Sequence, residues 1–450
     1  MEAHRWARFK RKTDFMSHAS HADLSPKNTQ LGPGSLTLRN AAVGIGIVCL
    51  GAGVYLGKTG AFETDARTFW KMYLVSFLFG LTICLGGLFF VIIQFLTRAG
   101  WSVAVRRPAE ALASNLKWIW LLFIPVLWMF FNGTAGTLFP WADMATLEAN
   151  DPGMAHVVEK KVAFLNANFF LIRAVVYFAA WGLLAWFFTN QSTKQDQDGA
   201  MCRTYAMQKW SGPAAIAFGL TTTFAAVDWI MSLSPAWFST MFGVYFFTGC
   251  VTGGYASLAL ITVRLKRWGF LSGIVSGEHL QDLGKLLFAF GMVFWAYIGF
   301  SQYMLIWYAN LPEETGWFLT RQVGGWLPVT LMLLFGHFVI PFVGMISRWP
   351  KRYGVSLAIA AAWMLCCHWI DLYWLVMPEI PSDIGSFATY GDLVAKYGTQ
   401  SNGLDNPLNY LLSFGVLSLV VAGSVAYLQG RSLVPARDPR LHESLSFENA

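Results

Sequence analysis

Charge is what this chain has least of. Asp, Glu, Lys and Arg together make up 13% of its 450 residues, while apolar residues make up 55%. That balance lies outside the range of soluble globular domains and excludes a water-soluble body of this size. Cysteine is scarce too, with six residues at positions 49, 84, 202, 250, 366 and 367. None forms a C-x-x-C pair, so the ligand spacing of iron–sulfur, zinc and c-type haem sites is absent. Cys366, Cys367 and His368 resemble a C-x-x-C-H haem site only superficially. The thiols therefore read as structural, and no metal site is expected here. If electrons pass near this protein, centres on other chains must carry them. An N-terminal apolar core is also lacking. The basic cluster Arg5, Arg8, Lys10, Arg11 and Lys12 is followed by no apolar run before residue 41, which argues against a cleavable signal peptide. The net charge of +7 sits in short loops between apolar runs, so topology explains it better than a nucleic-acid ligand does.

What the chain has is apolar length. Runs at about 41–57, 72–97, 117–139, 162–189, 213–233, 241–263, 283–310, 324–346, 354–377 and 409–428 predict ten membrane-spanning helices. The 21 Trp and 37 Phe suit aromatic belts at two membrane surfaces. The expected fold is thus all-α, a polytopic integral membrane protein. Residues 1–40 form a basic tail, 41–430 the membrane domain, and 431–450 a C-terminal tail. Gly53-x-x-x-Gly57 offers a close-packing face on the first helix, a spacing that also arises by chance.

Lys and Arg divide unevenly between the two sides, 23 on the side of both termini and 7 on the other. The positive-inside rule places both termini in the cytoplasm. The opposite loops are acidic, with Asp143, Glu148, Asp151 and Glu159 in one, Glu313 and Glu314 in another, and four more in 378–408. These read as solvated loop charge or as a docking face for partner subunits.

Two segments carry a carboxylate deep in an apolar helix, with proline seven residues on: Asp228 before Pro235, and Asp371 before Pro378. A charge at the bilayer centre costs about 2.5–3.5 kcal/mol on insertion scales, so such residues invite a functional reading. The device recurs in what looks like an internal repeat, approximately 72–233 and 241–377, giving two related four-helix bundles with peripheral helices. Arg173 and His337 fall on the corresponding fourth and eighth helices. His368 and Asp371, three apart, share a helix face and suit proton exchange. Asp228, His368, Asp371, Arg173, His337 and Lys285 are the candidate proton path. Against this, Asp228 and Arg173 suit a helix-joining ion pair, His337 a packing role, and Lys285 snorkelling to lipid phosphate. Gln302, Tyr303, Tyr308 and Asn310, with Ser301, add polar groups to an aromatic helix and suit a quinone or wet lining, or equally an aromatic belt.

Two of these stretches are familiar as wholes. V-D-W-I-M-S-L-S-P-A-W-F-S-T-M-F-G-V-Y, and F-S-Q-Y-M-L-I-W-Y-A-N-L-P-E-E-T with Trp317 and Arg321 beyond, resemble the alternative complex III family. Within it they look like the second of its two polysulfide-reductase-type (NrfD-like) membrane subunits, over roughly residues 40–430. The resemblance implies a subunit of a bacterial quinol:cytochrome c (or similar acceptor) oxidoreductase in the cytoplasmic (inner) membrane. It implies a homologous membrane subunit, a multihaem cytochrome c and iron–sulfur subunits as partners, with haem and clusters on those chains. For this chain it implies a transmembrane proton path, or quinone binding. The competing classes are a stand-alone secondary transporter and a purely structural anchor.

Overall fold

In a membrane, an apolar run must satisfy its own backbone, and a helix does this within one segment. The computed structural model, which describes residues 22–449 apart from 382, 385, 386 and 388, is helical on that principle. Among the described residues there is no strand, only an isolated bridge between Gln30 and Ser432. The basic cluster from Arg5 to Lys12 lies outside the described residues. Among the described residues, nine helices are long and apolar enough to cross a membrane, and a bent pair brings the number to ten. The chain is an all-α, multi-pass membrane protein.

The spans are α1 (Gly34–Lys58), α2 (Ala66–Leu96), the bent pair α3 (Val103–Ser114) and α4 (Ile124–Phe131), α5 (Ala167–Asp198), α6 (Met201–Trp229) and α7 (Phe242–Arg267). Then come α8 (Gly277–Ala309), α9 (Trp326–Met345), α10 (Gly354–Val376) and α11 (Pro407–Leu428). Side-chain caps start several of them. Asp65 accepts from Thr68 N, Asn166 from Phe169 N and Asn406 from Leu408 N, each satisfying an orphan first-turn donor.

Helices α2 and α7 form the centre. In their most apolar windows 89% and 83% of residues are buried, against 22% in α1. They approach closely because Gly86 lies on Gly254: a Cβ at Gly86 would fall 2.0 Å from the Cys250 carbonyl. Around that seam α2, α3, α5 and α6 pack on one side and α7, α8, α9 and α10 on the other, while α1 packs on α11.

The third span departs from the sequence reading, which begins it at 117. It begins at Val103 and bends by 48° between Lys117 and Ile119. Trp118 leaves helical geometry at φ −132°, and the Asn115 amide bonds Leu112 O at 3.1 Å and Ser424 Oγ at 2.9 Å beside the break. Hydropathy misses the first half because Arg106, Arg107 and Glu110 interrupt it. Folded, those charges are buried and paired. Glu110 takes Arg106 at 3.2 Å, Arg107 at 3.0 Å and Ser192 at 2.7 Å, Arg107 also meets Asp196, and Arg106 meets Asp438 at 2.5 Å.

The two expected tails are partly folded as well. Leu433 N donates to Thr29 O at 2.6 Å, and the Asn28 side-chain amide donates to Ser272 O and accepts from Ser272 N. Ser444 is fully buried; it bonds Trp101 O at 2.5 Å and His279 Nε2 at 3.0 Å. Residues 22–31 and 431–449 thus form a plate across the bundle end from which α1 starts and at which α11 finishes.

Candidate functional site

The two deep carboxylates sit near the ends of α6 and α10, and the fold surrounds them differently. Asp228 occupies the last turn of α6. Antiparallel α5 begins at its Asn166 cap and brings Arg173, two turns in, alongside. Arg173 Nε reaches Asp228 Oδ2 at 2.7 Å and Nη2 reaches Oδ1 at 2.8 Å, a two-pronged pair. Tyr177 OH donates to Oδ2 at 2.6 Å. The guanidinium is sandwiched by Phe164 and Phe169, at 3.9 and 4.1 Å from their centroids. This carboxylate is held as an ion.

Asp371, 1% exposed, has no such cation. Tyr245, at the start of α7, donates to Oδ1 at 2.5 Å, and Trp295, midway along α8, donates to Oδ2 at 3.2 Å. Two neutral donors position it, one on each oxygen. Trp295 in turn lies flat on His337 of α9, 3.9 Å between centroids and 6° between planes.

Both helices at this contact carry π-helical turns, Leu287–Phe294 and Leu333–Val339. Such turns disturb the regular ladder and occur often at functional sites. Here the Gly291 carbonyl receives Thr252 Oγ1 at 3.2 Å and His337 Nε2 at 3.1 Å.

His368 lies one turn before Asp371 on α10, against the backbone of α7. Gly249 and Gly253 make room: a Cβ on either would fall 2.9 or 3.0 Å from the imidazole. Its Nε2 meets Thr82 Oγ1 at 2.8 Å, and that hydroxyl donates to Phe79 O at 3.0 Å. The network therefore assigns the proton of His368 to Nε2, and the carbonyl partner does the same for His337. Each ring leaves a buried Nδ1 without a hydrogen-bond partner. The expected His368–Asp371 pair is thus not a direct one. The two share a face but bond to different helices.

The other sequence candidates fall elsewhere. Lys285 is half-exposed and bonds Asp282 at 2.8 Å and Asn449 at 2.6 Å, beside the plate formed by residues 22–31 and 431–449. Gln302 bonds Ser239 at 2.9 Å and Tyr303 accepts from Gln322 at 3.2 Å. Tyr308 is 85% exposed, and Asn310 ends α8 with φ +50°. Gln302 and Tyr303 thus meet different neighbours, and Tyr308 faces outward.

Two cations are absent from the candidate site residues read from the sequence, although Arg321 stands beside the second long motif. Arg321, 1% exposed, gives its N–H groups to the carbonyls of Trp374 (3.0 Å), Trp317 (2.8 Å) and Leu375 (3.1 Å), with no carboxylate partner. Burial pulls its proton affinity down. The last carbonyls of α10, the negative end of a helix dipole, favour the charged form. Lys71 of α2, equally buried, bonds Met377 O at 3.2 Å and Glu379 at 2.8 Å. Together they cap the helix that carries Asp371. The available signal was a cation one position before an apolar run, and the lone cation of an outer loop.

Beyond Lys71 opens a cavity of about 460 Å³, walled by the segments that follow both deep carboxylates, Ile230–Trp237 and Leu375–Ile380. Trp237, which lines it, stacks on Trp317 at 4.5 Å, and its indole N–H has no partner. Among the described residues, no group of three or more His, Cys, Asp or Glu could hold a metal ion. No protein-family model matches the chain, and no curated protein matches it.

Proposed function

We propose that this chain is a membrane subunit of a bacterial quinol-oxidising respiratory complex of the alternative complex III type, and that its own task is to carry protons at Asp371. The observation behind the proton role is the contrast between the two carboxylates: Asp228 is locked to Arg173, and Asp371 is held only by neutral donors. His337 and His368, each with a free buried nitrogen, extend the site toward the bilayer middle. The family assignment rests on the two long motifs. In this reading the chain sits in the cytoplasmic membrane with both termini inside, beside a homologous membrane subunit, a multihaem cytochrome c and iron–sulfur subunits.

Quinone binding is the second reading, and the cavity with its unpartnered Trp237 N–H favours it there rather than at Gln302, Tyr303, Tyr308 and Asn310. Affinity purification with mass spectrometry and haem staining tests the assignment; a chain that purifies alone and transports a solute would replace it with a secondary transporter. Asp371→Asn tests the proton role. It should leave the complex assembled while lowering proton translocation or coupled quinol oxidation. Normal turnover and proton release in the assembled variant would end that reading.

A further inference from the structure

We infer that Lys71, Arg321 and Arg67 form a cationic collar that insulates Asp371 from the water of the outer cavity. This rests on the reading of Asp371 as a proton-carrying group. Three observations support it.

The first is position. Arg321 sits on the carbonyls of Trp374 and Leu375, about one turn beyond Asp371 on α10, and Lys71 on the carbonyl of Met377 just past it. Lys71 and Arg67 line the cavity, and both contact Glu379, at 2.8 and 2.9 Å. Along α10 from the buried carboxylate outward the order is therefore Asp371, Arg321, Lys71, Glu379, cavity.

The second is charge. Three cations stand there against one carboxylate, so the collar carries a net positive charge. The other acids of the cavity are Asp143 and Asp151, both engaged as helix caps, and the exposed Glu313. A positive charge repels a hydronium ion, and it does so strongly where the charge is buried and poorly screened. Arginine side chains and helix dipoles exclude protons from membrane pores on the same ground.

The third is fixation. Lys71 and Arg321 do not dangle into the cavity; backbone carbonyls at Trp374, Leu375 and Met377 pin them to the end of α10. A proton on Asp371 can pass outward only when that end of the helix, or the Lys71–Glu379 pair, moves. Protons in the cavity are kept from running back.

The test uses the purified full chain in liposomes, with a potassium diffusion potential, a trapped pH dye and co-trapped calcein. Wild type should be proton-tight. Lys71→Met should raise proton flux roughly tenfold or more, as expected for loss of one poorly screened charge, with calcein retained. Lys71→Arg should stay tight. Adding Asp371→Asn to Lys71→Met should restore tightness, because the leak runs through that carboxylate. Glu379→Gln, which makes the collar more positive, should not leak, although it breaks the same ion pair.

Tight Lys71→Met vesicles, calcein loss alongside protons, or a leak from Glu379→Gln would each overturn the collar. Asp371 would then stand on its turnover test alone. A Lys71→Met leak that survives Asp371→Asn would overturn the collar as a guard of Asp371 and remove Asp371 from the path. Loss of coupled turnover in Asp371→Asn with tight Lys71→Met vesicles separates the two ideas in the other direction.

Discussion

Arg173 holds Asp228 with two nitrogens, at 2.7 and 2.8 Å, on neighbouring antiparallel helices. Both side chains are buried, so the pair has excluded water and compensates its own charge. The other deep carboxylate, Asp371, sits at a matching place in its helix with a tyrosine and a tryptophan instead. One sequence device serves two physical ends, a fixed strut and an exchangeable group.

The strut should behave as a strut. Removing one partner strands a buried charge, which costs about 3–5 kcal/mol. Asp228→Leu should therefore abolish or sharply lower thermal stability in detergent. Asp228→Asn, which still accepts from Tyr177 and Arg173, should cost less. Arg173→Met combined with Asp228→Leu should recover much of the loss. Additive losses in the double variant, read by the unfolding midpoint, would contradict the strut.

Most of the helical frame was legible because an apolar run of membrane length leaves the backbone little choice. The third span was not, since Arg106, Arg107 and Glu110 are fully paired only once Ser192, Asp196 and Asp438 come round them. The deep carboxylates and Arg173 stood out against their apolar surroundings. Their partners did not: Tyr245, Trp295 and Thr82 are ordinary residues whose meaning comes from three different helices. Spacing correctly put His368 and Asp371 on one face, but it cannot say which neighbouring helix each one meets. Lys71 and Arg321 looked like loop charges because the turns that bury them are tertiary.

The cradle for His368 is a second place to test. Gly253→Ala places a methyl group 3.0 Å from the imidazole and 3.2 Å from Nε2. Overpacking of this kind costs about 1–3 kcal/mol. The ring should be pushed off Thr82, so Gly253→Ala and Thr82→Val should each perturb the imidazole resonances of labelled His368 while leaving His337 on Gly291 O. An unchanged His368 signal in Gly253→Ala would show that α7 simply shifts away.

Topology follows from the loops. In a background carrying Cys202→Ser and Cys366→Ser, which removes the exposed thiols, Glu313→Cys and Asp405→Cys should react with an impermeant reagent in intact cells. Lys27→Cys should react only after lysis. The reverse pattern would invert the orientation drawn from the 23:7 charge bias.

The plate at the termini should answer to acid. Burial raises the Asp438 carboxyl, but the Arg106 guanidinium at 2.5 Å outweighs it and holds the group below its ordinary value. A carboxylate depressed in the folded state contributes stability in full above its unfolded pKa, about 3.9 for Asp, and loses it as pH falls through the lower folded value. Amide exchange of residues 431–449 should therefore stay slow from neutral pH down to about 4 and quicken below it, once intrinsic rates are corrected. Asp438→Asn should loosen the plate already at neutral pH, by at most about 3 kcal/mol, since Arg106 keeps Glu110 as a partner. It should also flatten the acid response. A wild-type plate that loosens instead as pH rises from 4 to 7 would mean that another group, such as His279 on Ser444, controls it.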